Sequence, residues 1–148
     1  MILVDKIQST CLILKGGKEF KSFSAEFGKS WMGDKLFAGD MATPEGIYKV
    51  TEKKSNAKTK YYKALLINYP NNEDQSRYNK MVKSGEISKR TSIGGLIEIH
   101  GDGGKGVHWT DGCIALENKE MDVVFSQCGI NTPVIIVGSR LPIENYLN

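Results

Sequence analysis

The chain has 148 residues, 40% of them hydrophobic and 25% charged, with a formal net charge of +3. That length supports one ordinary core and that composition is globular, so the expectation is one domain over residues 1–148. A balance this small does not mark a nucleic-acid binder, and no apolar stretch is long enough to cross a bilayer.

Residues 2–4 and 10–14 read as short strands. Gly16-Gly17 is a turn signal, and residues 20–27 follow with alternating character. Lys21, Phe23, Ala25 and Phe27 would form the half-buried face, and Phe20, Ser22, Ser24 and Glu26 the solvent face. Residues 28–46 lack periodicity and contain Trp31 and Pro44, so they read as a long loop of the kind that often carries function. Trp31 would line a substrate groove there or serve as a local hydrophobic anchor.

Residues 47–51 are a strand candidate, and 52–60 an exposed lysine-rich turn. The lysines from Lys49 to Lys63 read as a solvated face, with an anionic polymer such as cell wall as the alternative partner. Residues 61–69 form another apolar strand, ended by Pro70. A short peripheral helix is predicted over 72–84, with Asn72 as cap and Gly85 as stop. Residues 93–100 read as a central strand interrupted by Gly94-Gly95. The clearest helix covers 118–127, because Met121, Val124, Phe125 and Cys128 fall on one face. Asn118 would cap it and Gly129 end it. Residues 132–137 form the last strand, buried on both faces. A tail over 140–148 follows, with Tyr146 as a possible anchor. Many short strands and two short helices make the fold mainly β: a compact sandwich or a partly closed barrel.

The chemistry concentrates between residues 100 and 116, which hold both histidines and one of the three cysteines. A thiol and an imidazole brought together by a loop suit nucleophilic catalysis, because the thiolate attacks and the imidazole carries the proton. On local pattern alone, a buried structural cysteine beside incidental histidines fits as well. Zinc would have His100, His108, Cys113 and Asp102 to choose from, but sites usually need three or four well-placed ligands. The glycine-rich loop 101–106 lacks the spacing and the Lys-Ser/Thr pair of a phosphate-binding loop. Cys11 and Cys128 read as buried thiols; a disulfide between them is compatible with the sequence.

His100-Gly101, followed by Trp109-Thr110-Asp111-Gly112-Cys113-Ile114-Ala115-Leu116, resembles the L,D-transpeptidase catalytic domain of bacterial cell-wall enzymes. The upstream Thr43-Pro44-Glu45-Gly46 resembles the family's Thr-Pro-x-Gly signature, and Ala64-Leu65-Leu66-Ile67-Asn68-Tyr69-Pro70-Asn71 a segment of one subgroup. The resemblance spans roughly residues 6–137 and implies a mainly β fold. It implies Cys113 as nucleophile and His100 as base, with His108 as the alternative base. Gly101, Asp102 and Gly112 would orient the histidine or stabilise an oxyanion, and His108, Trp109, Thr110 and Trp31 would contact substrate. The implied substrate is a peptidoglycan stem peptide, handled without cofactor or metal by a monomer outside the cytoplasmic membrane. The opening residues lack the pattern of an export signal. Two positions depart from many relatives: Asp111 stands where a histidine is common, and Ala115 where an arginine can hold a substrate carboxylate.

Overall fold

The computed structural model describes residues 1–138; the tail over 140–148, with Tyr146, lies outside the described residues. Eight strands form one sheet: β1 (Ile2–Asp5), β2 (Thr10–Lys15), β3 (Lys18–Ser24), β4 (Gly46–Ser55), β5 (Lys63–Ile67), β6 (Glu98–His100), β7 (Ile114–Ala115) and β8 (Pro133–Val137). Their spatial order is β3-β2-β1-β8-β4-β5-β6-β7. The sheet curls into a half-barrel, so the fold is mainly β, with the partly closed barrel as its form.

The parallel pairing of β1 with β8 closes the middle of the sheet. Ile2, Val4, Val134 and Ile136 are fully buried on one face there, and Leu3, Ile135 and Val137 are buried on the other, as expected for strands covered on both faces. The Gly16-Gly17 turn has φ of 58° and 75°, the left-handed pair that matches strand twist in a tight hairpin. β3 departs from the expected half-buried alternation. It is an edge strand exposed along most of its length, and burial starts only at Ala25. Glu26, expected in solvent, is buried instead.

β4 runs on through the segment expected to be a turn, with a bulge between Val50 and Glu52 where it pairs with β5. Two of its lysines are engaged, with Lys53 Nζ donating to the Phe125 carbonyl and Lys54 pairing with Glu98 at 2.9 Å, while Lys49 is exposed; Lys63 of β5 pairs with Asp122 at 2.7 Å. The chain turns only at a short 3-10 segment, Asn56–Lys58. β5 is shorter than expected because Tyr62 adopts φ of 75° and leaves the ladder.

The segment expected as a central strand yields only β6, next to the sheet edge. Gly94 and Leu96 take φ of 90° and 55°, so the backbone before Glu98 cannot extend. The first helix, α1 (Asn72–Lys83), is capped by Asn71 rather than Asn72. Asp74 N donates to Asn71 Oδ1 at 2.9 Å and Asn71 N to Asp74 Oδ2 at 3.0 Å, a reciprocal capping box.

The second helix, α2 (Asn118–Gln127), lies where its apolar spacing predicts. Met121, Val124 and Cys128 enter the main core with Ile99, Ile114 and Leu116. Burying a side chain of this size contributes about 1.5–3 kcal/mol, enough to hold α2 on β5 and support the strands that carry the site. Asn118 does not cap α2: Glu117 is the cap residue, and Cys128, in extended conformation, ends the helix before Gly129. Cys11 and Cys128 are both buried free thiols.

Candidate active site

β6 and β7 pair in parallel, with Ile99 beside Ile114 and His100 beside Ala115. This register sets the residue before β7, Cys113, next to Glu98 at the start of β6. The two segments open onto a cavity of ≈ 500 Å³ lined by Lys60, Tyr61, Leu96, Glu98, His100, Trp109, Thr110, Asp111 and Cys113. Cys113 Sγ accepts from the Glu98 backbone N–H at 3.4 Å and donates to the Leu96 carbonyl at 3.5 Å. Burial pushes the thiol up to about 11, with the Glu98 and Asp111 charges adding to the rise and the Glu98 N–H opposing it. The resting sulfur is therefore a neutral thiol.

His100 is 1% exposed. Its Nδ1 lies 2.7 Å from the carbonyl oxygen of Gly101. A carbonyl only accepts, so Nδ1 carries the proton and the neutral ring keeps its lone pair on Nε2. Burial pulls this imidazole below its usual pKa, against the smaller opposing pull of the Gly101 carbonyl. The Tyr61 ring stacks on it at 4.2 Å, and Trp109 stands edge-on at 5.9 Å.

His108 has the opposite tautomer. The Phe27 backbone N–H donates to its Nδ1 at 3.0 Å, so that nitrogen is unprotonated and already occupied. Its ring stacks on Phe27 at 5.2 Å and leans on Trp31 at 5.3 Å. It opens onto a different cavity, with Ser9, Thr10 and Glu26. Trp31 is also apart from Cys113. It lines a third cavity, of ≈ 440 Å³, with Met32, Leu36 and Phe37, while packing partly on the core. Among the described residues, no group of three or more His, Cys, Asp or Glu is arranged to hold a metal ion.

Thr110 and Gly112 shape the turn before the cysteine. The Thr110 hydroxyl donates to the Cys113 carbonyl at 2.7 Å and accepts from the Gly112 N–H at 3.1 Å. That N–H is thus committed to Thr110. Gly112 has φ of 144°, and a Cβ on it would come 2.8 Å from the Ala42 carbonyl oxygen; a side chain there would meet both strain and backbone. Gly101 is closed in as well, since its Cβ would lie 2.5 Å from Asn118 Oδ1. That same Oδ1 accepts from the Asp102 N–H at 2.7 Å. The Gly101 carbonyl, not the Asp102 carboxylate, is the group bonded to His100. Asp111 is mostly exposed and only 3.9 Å from Lys29 Nζ, a weak surface pair.

Sequence patterning points to neither Tyr61 nor Glu98 as part of this cavity, and it turns Glu26 towards solvent. Tyr61 lies two residues before β5 begins, its carbonyl accepting from the Gly101 N–H at 3.0 Å, so the register of β5 against β6 brings it to His100. The Glu98–Lys54 pair joins β6 to β4 across the intervening strand.

The model of the YkuD family, the L,D-transpeptidase catalytic domain, matches residues 1–136. YafK of Escherichia coli (strain K12), a protein provisionally named an L,D-transpeptidase, is 30% identical over 94 residues, 64% of this chain and 31% of its own length. The helical cell shape determining protein Pgp2 from Campylobacter jejuni superposes with TM-score 0.70 at 25% identity, over 95% of this chain and 48% of that one. Bd1075 of Bdellovibrio bacteriovorus gives TM-score 0.66 at 25% identity, over 93% and 47%. The chain thus spans about a third of the curated relative and about half of these structures. With the matched region taking in both β6 and the cysteine turn, the chain belongs to the YkuD family of L,D-transpeptidase catalytic domains.

Proposed function

We propose that the protein performs cysteine-dependent acyl transfer on peptidoglycan stem peptides, outside the cytoplasmic membrane where that polymer lies. The observation that carries this reading is the shared cavity of Cys113 and His100, with the imidazole locked by Gly101 so that Nε2 is its basic nitrogen. His108 is the weaker base, because its lone-pair nitrogen already accepts from Phe27.

In the first step His100 takes the Cys113 proton as the sulfur attacks the carbonyl between an L-centre and a terminal D-residue. The C–N bond breaks, and the imidazolium returns the proton to the leaving amine. The thioester then reacts with an acceptor amine to give an L,D-crosslink, and the sulfur leaves as the thiol. Water in place of the amine gives L,D-carboxypeptidase products. A neutral resting thiol suits general-base activation in the encounter with substrate rather than a preformed ion pair. The Gly112 N–H reaches an oxyanion only if Thr110 gives it up.

The test is incubation with defined tetrapeptide muropeptides, followed by mass spectrometry. Dimers with a new L,D bond mark transpeptidation, and tripeptide marks trimming. Cys113→Ala and His100→Ala should both abolish turnover with the fold retained. An acyl adduct on Cys11 or Cys128 in the Cys113 variant would overturn the nucleophile. Wild-type binding without turnover would instead make the domain a wall-binding module.

A further inference from the structure

We propose that Glu26 is a positioning residue, whose carboxylate clamps the loop after His100 and thereby sets where the Trp109 ring stands in the cavity. This rests on the acyl-transfer reading of that cavity. Glu26 is 9% exposed and has no basic partner among the described ion pairs. Its charge is met by N–H groups of one loop instead. Oε1 accepts from Gly104 N at 3.1 Å and from Trp109 Nε1 at 2.9 Å, and Oε2 accepts from Gly106 N at 2.5 Å.

A buried carboxylate with this many convergent donors is a strong, directional anchor. Its backbone is equally committed. Glu26 N donates to the Ala115 carbonyl at 3.0 Å and Ala115 N to the Glu26 carbonyl at 2.8 Å. One residue therefore holds, by its main chain, the strand that follows Cys113 and, by its side chain, the loop that follows His100.

Trp109 is the member of that loop that reaches the site. Its ring meets His100 at 5.9 Å and Tyr61 at 6.1 Å, both edge-on, while Lys105 Nζ sits 3.6 Å over its face. The indole N–H is the polar handle that sets the ring's rotation, and Glu26 holds that handle. Gln keeps the shape but can accept through one oxygen only, and its amide would face a backbone N–H. Ala removes every acceptor.

The experiment combines two readouts on the folded protein. In ¹⁵N-labelled protein the two indole N–H resonances are assigned with Trp31→Phe, and the Trp109 signal is followed in Glu26→Gln and Glu26→Ala. Turnover of a tetrapeptide muropeptide is measured for both, for Trp109→Phe and for the double variant Glu26→Gln/Trp109→Phe. The clamp requires the Trp109 signal to move in both Glu26 variants and kcat/KM to fall by about ten- to hundredfold, the scale of a misplaced site group. It also requires the double variant to be no worse than about twofold below the weaker single, because the two changes break one linkage. Losses that multiply, or a Trp109 resonance that stays put, overturn the proposal. If Glu26→Ala does not fold, the isosteric Gln variant carries the test. If the wild type transfers no acyl group, the reading of the site fails and the resonance alone decides the clamp.

Discussion

The Tyr61 ring lies 4.2 Å from the His100 imidazole and within 16° of parallel to it. This contact covers one face of a ring whose Nδ1 is already fixed by Gly101. Tyr61→Ala should therefore free the imidazole to tilt, lowering kcat/KM by about tenfold. Tyr61→Phe keeps the stacking face and should stay near wild type. Equal losses in the two variants would mean that the hydroxyl, not the ring face, is what matters.

The Cys113 thiol, pushed by burial to about 11, makes a pH-dependent prediction. Below that value the thiolate fraction rises tenfold per pH unit, so iodoacetamide alkylation of Cys113 should rise about a hundredfold from pH 7 to 9. Cys113→Ala provides the blank, since Cys11 and Cys128 are buried. Glu98→Gln removes a negative charge that helps hold the thiol up and should speed alkylation at pH 8. A flat profile from pH 7 to 9 would show that the sulfur is already ionised.

His108 accepts from the Phe27 N–H through Nδ1, and burial lowers its pKa, against the smaller opposing pull of Glu26. Protonation would set one N–H against another. The unfolded chain therefore binds this proton more readily than the folded one. Stability should begin to fall as pH drops below about 6.5 and go on falling down to the folded value. His100 is shifted the same way. Melting curves from pH 7.5 to 5 should show a smaller acid loss in His108→Phe than in wild type. An unchanged slope would place the acid sensitivity elsewhere.

Gly112→Ala should be severely damaging, because its Cβ would meet the Ala42 carbonyl oxygen at 2.8 Å with φ at 144°. Strain of this kind costs about 1–3 kcal/mol, and relieving it would move the turn that carries Cys113. Loss of alkylation selectivity for Cys113, together with a lower melting temperature, is the expected result. A variant with wild-type turnover would show that the turn yields without moving the sulfur.

The local signals in the chain that proved legible were those set by short-range chemistry. The apolar stripe of Met121, Val124 and Cys128 specifies a helix wherever the chain goes, and α2 lies on its predicted residues. Gly16-Gly17 specifies a tight turn for the same reason. The family was legible too, because His100-Gly101 and Gly112-Cys113 are contiguous motifs. Long-range pairing decided the rest. Alternation turned Glu26 to solvent, but its pairing with Ala115 brings it under the loop whose N–H groups it accepts. Lys53 and Lys54 of β4 read as part of a solvated turn until Phe125 and Glu98 arrive from distant segments to receive them. The two histidines look alike in the chain, and only their neighbours separate them: a carbonyl that must accept at His100, an amide that must donate at His108. A tautomer is set by partners in space, so it becomes readable only when the strands are in register.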